Sequence, residues 1–113
     1  MVKIVADTTS GLPLEVAAER GIPMVPQIII FGEDSYRDDT ELNTAAFLTK
    51  LRAAPALPKT AAPPPAMFTP IFQRLLDEGH TVICVHPSTE LSGTVRAATV
   101  AAHDFPGADI RII

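Results

Sequence analysis

A chain of 113 residues with 47% hydrophobic and 19% charged content suits one compact α/β-sized domain with a core of its own. Its 13 acidic and 9 basic residues give a net charge of −4, and the basic residues are scattered, which excludes the clustered Lys and Arg that nucleic-acid phosphates require. No stretch approaches the roughly 20 apolar residues of a membrane span, and Met-Val-Lys leads straight into a strand rather than a signal peptide, so the expected location is cytoplasmic.

Apolar runs of strand length alternate with helical patterns, the signature of an α/β fold with a mainly parallel sheet flanked by helices. Lys3–Ala6 is the first predicted strand. A helix over Leu12–Arg20 is opened by Pro13 and closed by Gly21, with Leu12, Val16 and Ala17 on one face. Met24–Phe31 is the second strand, where Pro26 marks an edge or an irregular start. Gly32-Glu33-Asp34-Ser35 forms a turn, and a helix over Asn43–Ala54 places Phe47, Leu48 and Leu51 inward. Six of the eleven prolines then fall between Pro55 and Pro70, as in a stiff extended spacer. A helix over Pro65–Glu78 turns Phe68, Ile71, Phe72, Leu75 and Leu76 to one side, with Pro70 bending it or marking a later start. Strand Val82–His86, a helix over Ser92–His103 and strand Ile110–Ile113 complete the pattern. Cys84, the single cysteine, reads as a buried small hydrophobe, with no disulfide or cysteine metal site available.

The chemistry gathers where strands meet helices. At 84–100, CVHPSTELSGTVRAATV, an apolar run gives way to hydroxyls around Gly93 and then to an alanine-rich helix. The first N–H groups of a helix lack intrahelical partners and sit at the positive end of its dipole, so Ser92, Gly93 and Thr94 suit a carboxylate or phosphate. The same residue types also serve as ordinary caps. Asp7, Thr8, Thr9 and Ser10 have the same double meaning, and there Asp7 is expected to organise its loop by accepting backbone N–H bonds. In open α/β sheets, ligands bind beyond the carboxyl ends of the strands. The loops Asp7–Ser10, Pro58–Pro63 and Pro87–Thr94 lie there.

Four blocks, in order, share a pattern. IVADTTSGLP at 4–13, the run IPMVPQIIIFGEDSYRDDTELNTAAFLTKL at 22–51, PKTAAPPPAMF at 58–68 and STELSGTVRAA at 88–98 resemble the IVTDSTADLP opening, the strand with its Tyr-x-Asp turn and DIxxxEFYxxL helix, the PTTSQPSPEDF loop and the ISSxLSGTYxSA signature of the DegV family. The resemblance implies the N-terminal domain of a DegV (EDD-type) protein that binds a long-chain fatty acid. It places the fatty-acid carboxylate between Thr60, on the threonine of the family's TSQP motif, and Ser92, on the serine of LSGT; Gly93, Thr94, Asp7 and Thr8 are supporting candidates. Ala61 and Ala62 replace the motif's Ser and Gln, so hydrogen bonds made through those side chains are lost here. Tyr36 and Asp38 match the Tyr-x-Asp turn and are expected in a solvated turn. Ile28, Ile30 and Phe31 are candidates for the acyl lining, equally suited to ordinary core.

The resemblance further implies that the 113 residues form a single domain equivalent to the first lobe of a two-lobe protein, the second lobe being absent. A full-length member would present its acyl group to a separate ATP-dependent fatty acid kinase, and the chain itself would hold no catalytic residue. An uncovered first lobe is expected to expose apolar surface and form a homo-oligomer. Against catalysis, no G-x-S-x-G elbow surrounds Ser92, no G-x-x-x-x-G-K-[ST] or G-x-G-x-x-G loop is present, and His80, His86 and His103 lack metal-ligand spacing. The alternatives are an anion site for a phosphorylated small molecule and a purely structural or interaction domain.

Overall fold

The computed structural model describes residues 1–113 as two sheets with four α-helices, in the order β1 (Val2–Asp7), α1 (Leu14–Glu19), β2 (Met24–Val25), β3 (Ile28–Phe31), β4 (Asp34–Arg37), α2 (Thr44–Ala53), β5 (Lys59–Ala61), α3 (Thr69–Asp77), β6 (Thr81–Val85), α4 (Thr94–Ala102) and β7 (Ile110–Ile112). The main sheet is parallel, ordered β2-β1-β6-β7. A smaller antiparallel sheet, β4-β3-β5, grows out of the excursion between β2 and β6. The α/β class with helices on a parallel sheet is as the apolar pattern requires.

The core lies between the parallel sheet and two helices. Val5, Val25, Val82 and Cys84 meet Phe68, Phe72 and Leu75 of the α3 segment and Ala97, Ala98 and Ala101 of α4. Phe68, Phe72 and Leu75 recur at i, i+4 and i+7, which puts them on one stripe. The methyl-sized side chains of α4 let it lie close to the sheet. Burial alone pushes the Cys84 thiol up to about 12, so it packs as an inert hydrophobe.

Several boundaries differ from expectation for local reasons. Met24–Phe31 is two strands in two sheets, broken at Pro26-Gln27, because Pro lacks the N–H a ladder needs. Gly32, at φ +60°, opens a two-residue hairpin loop between Phe31 and Asp34, where a left-handed residue is required. The proline-rich stretch is no mere spacer: Lys59–Ala61 pairs antiparallel with Ile28–Ile30. Pro65–Met67 is a 3-10 turn, and α3 begins at Thr69 with Pro70 in its first turn, where the missing N–H costs nothing. α1 is confined to Leu14–Glu19, buries Ala17 and leaves Val16 exposed; on α2, Phe47 meets Phe31 but Leu48 faces solvent. Helix α4 starts at Thr94 rather than Ser92, with Gly93 as its cap residue.

Candidate functional site

Strands β1 and β6 are adjacent and parallel, with Ala6 opposite Val85, so the next residue of each chain stands at the carboxyl edge of the sheet. These are Asp7 and His86. Their side chains are 1% and 0% exposed, and Oδ2 of Asp7 lies 2.6 Å from Nδ1 of His86. Burial raises the Asp7 pKa, but the hydrogen bonds from His86 and from the Thr9 hydroxyl and amide, with the His86 charge, outweigh it and hold the carboxyl below its ordinary range. An ionised carboxylate only accepts, so His86 donates through Nδ1. Its Nε2 has no hydrogen-bond partner and the ring stands edge-on to Phe68, 5.4 Å between centroids. The backbone N–H of Thr9 donates to Oδ1 of Asp7 at 2.8 Å, the loop-organising role expected of Asp7.

A second carboxylate ties the two sheets together. The Thr8 hydroxyl donates to Oδ2 of Asp38 at 2.6 Å, and the Gln27 backbone N–H donates to Oδ1 of Asp38 at 3.0 Å and to the Thr8 hydroxyl oxygen at 3.1 Å. Burial, with the negative charges of Asp39 and Asp7, raises the Asp38 pKa against the lowering effect of those two hydrogen bonds. The expectation of a solvated turn is therefore corrected. Asp38 is half-buried and bonded on both oxygens, while Tyr36 lies in β4, edge-on to Phe31 at 6.5 Å with the Lys50 ammonium 4.9 Å from its ring.

Above these pairs opens a cleft of about 390 Å³ lined by Thr9, Gln27, Thr60, Ala62, Pro87, Leu91, Ser92 and Gly93. Thr60 and Ser92, separated by 32 positions, are thus brought to one wall-to-wall space by different sheets. Strand pairing explains the Thr60 side: Thr60 is opposite Ile29, and directly paired residues share a face. Period two then puts Gln27, Ile29, Phe31, Thr60 and Ala62 on that face, with Ile28, Ile30 and Ala61 on the other. Of the acyl-lining candidates, only Phe31 shares a face with Thr60; Ile28 and Ile30 do not. Of the two replaced motif residues, only Ala62 meets the cleft. A Cβ on Gly93 would stand 3.6 Å from that of Ala62, so the β5 loop and the start of α4 are in near contact.

Behind the cleft, the Thr94 amide donates to the Ser92 hydroxyl oxygen at 3.2 Å, the two hydroxyls lie 2.7 Å apart, and Nε2 of Gln27 donates to the Thr94 hydroxyl oxygen at 3.0 Å. Thr94 is fully buried. The structure thus puts Thr60, Ser92 and Gly93 at the cleft, buries Thr94 and Asp7, and turns Thr8 to Asp38 in a separate cleft lined also by Leu42 and Phe47. Sequence reasoning missed Gln27, whose signal was a lone amide in the apolar run Val25–Phe31, and the pairing of His86 with Asp7. Ser92 bonds Thr94 and His86 Nδ1 bonds Asp7 while His86 Nε2 has no hydrogen-bond partner, so Ser92 and the Asp7–His86 pair are not hydrogen-bonded to each other.

The fold has close counterparts. A family model described as an uncharacterised protein of the DegV family matches residues 1–113. The chain belongs to the DegV family. A DegV domain-containing protein of Halalkalibacterium halodurans is 36% identical over 110 residues, covering 96% of this chain and 39% of the relative; one from Clostridium perfringens is 33% identical, covering 99% and 40%. Among solved structures, a fatty-acid-binding DegV family protein of Thermus thermophilus superposes with a TM-score of 0.86 at 33% identity, covering 99% of this chain and 40% of that one. A stearic-acid-binding protein of Eubacterium ventriosum gives 0.85 at 28% identity, covering 100% and 41%. The chain spans about 40% of the length of these relatives. DegV proteins are thus similar to it from end to end of its 113 residues, and those two solved relatives bind fatty acids.

Proposed function

We propose that this DegV chain binds a long-chain fatty acid, with the carboxylate held by the Thr60 and Ser92 hydroxyls beside Gly93 at the start of α4. The observation that carries the reading is the convergence of Thr60 and Ser92 on one cleft at the carboxyl edge of the parallel sheet, the place where open α/β folds take ligands. No charged side chain lines that cleft, so an anion there is met by neutral donors and a helix N-terminus. That suits a singly charged carboxylate better than a phosphate dianion, for which Arg and Lys are the usual partners. Leu91, 85% exposed at the rim, offers apolar surface for the tail, and each buried CH₂ contributes about 0.8 kcal/mol.

The chain acts as the first lobe of a two-lobe binding protein, the tail running between lobes. It holds no catalytic group of its own and presents the acyl carboxylate, in the cytoplasm, to a separate ATP-dependent fatty acid kinase. Exposed Leu57 and Leu91 offer apolar surface for pairing with a second copy. Native mass spectrometry of the purified protein should show a retained fatty acid, and titration with palmitate should raise its melting temperature. Stabilisation by a sugar phosphate with none by palmitate would overturn the fatty-acid reading.

A further inference from the structure

Hydrogen-bond direction in the buried chain behind Ser92 is fixed by chemistry rather than by choice. At one end stands Asp7, acceptor only, with the Nε2 end of the Gln27 amide turned toward its Oδ1 at 3.5 Å. An amide carbonyl facing that carboxylate would be repelled, so Gln27 presents its NH₂ group, which only donates. The next atom, Thr94 Oγ1 at 3.0 Å, must therefore accept. The Thr94 side chain is fully buried, and the partner available for its own hydrogen is Ser92 Oγ at 2.7 Å. Ser92 Oγ also accepts the Thr94 backbone N–H at 3.2 Å. With both lone pairs occupied, the serine has its proton left over, and Ser92, which ends the chain, lines the cleft, as Gln27 also does.

We infer that Gln27 and Thr94 are positioning residues that lock the Ser92 hydroxyl as a donor into the cleft, making the site selective for an ionised carboxylate over a neutral head group of the same acyl length. Neither residue has to touch the carboxylate to do so. The inference rests on the fatty-acid reading, and it extends that reading from where the anion sits to why the serine meets it with a proton instead of a lone pair.

The test compares palmitate with hexadecanol, taking the ratio of their dissociation constants for the protein and its variants. Thr94→Val, nearly the same shape, removes the relay hydroxyl and should reduce the preference for the acid about tenfold or more; Thr94→Ser restores the hydroxyl and should restore the preference. Gln27→Leu should act in the same direction as Thr94→Val, and Thr94→Val should add nothing in a Ser92→Ala background, since both act through one proton. A role in folding alone would shift melting temperature without moving the acid-to-alcohol ratio. A protein that prefers palmitate and keeps that preference in Thr94→Val, or in Gln27→Leu if Thr94→Val does not fold, overturns the relay while leaving fatty-acid binding intact. A parent protein with no affinity for palmitate overturns the binding reading itself.

Discussion

Asp7→Ala should lower the unfolding free energy by about 3–5 kcal/mol, the usual cost of removing one member of a buried pair. Four donors converge on this carboxylate: His86 Nδ1, the Thr9 amide, the Thr9 hydroxyl and, at longer range, Gln27 Nε2. All lose their acceptor together, and a domain stable by about 5–15 kcal/mol overall would sit near its threshold. Asp7→Asn keeps one oxygen for Thr9 and should cost less. The pH profile separates charge from shape. The folded pKa of Asp7 is depressed, so its contribution is fully present above the unfolded value of about 3.9 and is lost as pH falls through the lower folded value. Urea denaturation from pH 7 downward should show the parent losing stability in that acid window and Asp7→Asn losing less. Some slope remains, since Arg37 also depresses Asp39, against the effect of burial. Asp38 works in the opposite direction: its raised pKa favours the folded state at low pH and ceases to do so as pH rises through the folded value. Equal slopes in parent and Asp7→Asn would show that the Asp7 pKa is the same in the folded and unfolded chain.

What the sequence reveals here tracks how local each cause is. The α3 stripe of Phe68, Phe72 and Leu75 is written within eight residues, and the hydroxyls at 7–10 and 88–94 announce helix starts whatever the tertiary fold. Strand β5 is a different matter. Lys59-Thr60-Ala61 is too short for a period-two pattern and is hemmed in by prolines; it is a strand because Ile28–Ile30 offers it an edge, which no window of sequence contains. The same holds for the split at Pro26-Gln27. Proline marks a break, yet only the second sheet explains why the chain resumes as a strand two residues later. Most hidden of all is the pair of Asp7 with His86, 79 positions apart, which exists because β1 and β6 are neighbours in register. The resemblance to a family supplied Thr60 and Ser92, and topology explains their meeting.

Thr60→Val and Ser92→Ala should each weaken palmitate binding about ten- to a hundredfold, the equivalent of losing a hydrogen bond of about 1.5–3 kcal/mol to a charged acceptor. Their effects on the fold should diverge. The Thr60 hydroxyl makes no hydrogen bond within the protein and its side chain is exposed on β5, and valine matches its shape and favours a strand, so Thr60→Val should leave the melting temperature nearly unchanged. Ser92 also receives the Thr94 amide, and losing that acceptor at the start of α4 should cost about 1 kcal/mol of stability. Calorimetric titration with palmitate beside thermal melts of both variants reads the two effects separately. Loss of affinity in Thr60→Val without loss of stability is the result that only a ligand-contacting hydroxyl produces. Unchanged affinity in Thr60→Val, with Ser92→Ala altering the melting temperature alone, would return both residues to structural roles and remove the carboxylate from this cleft.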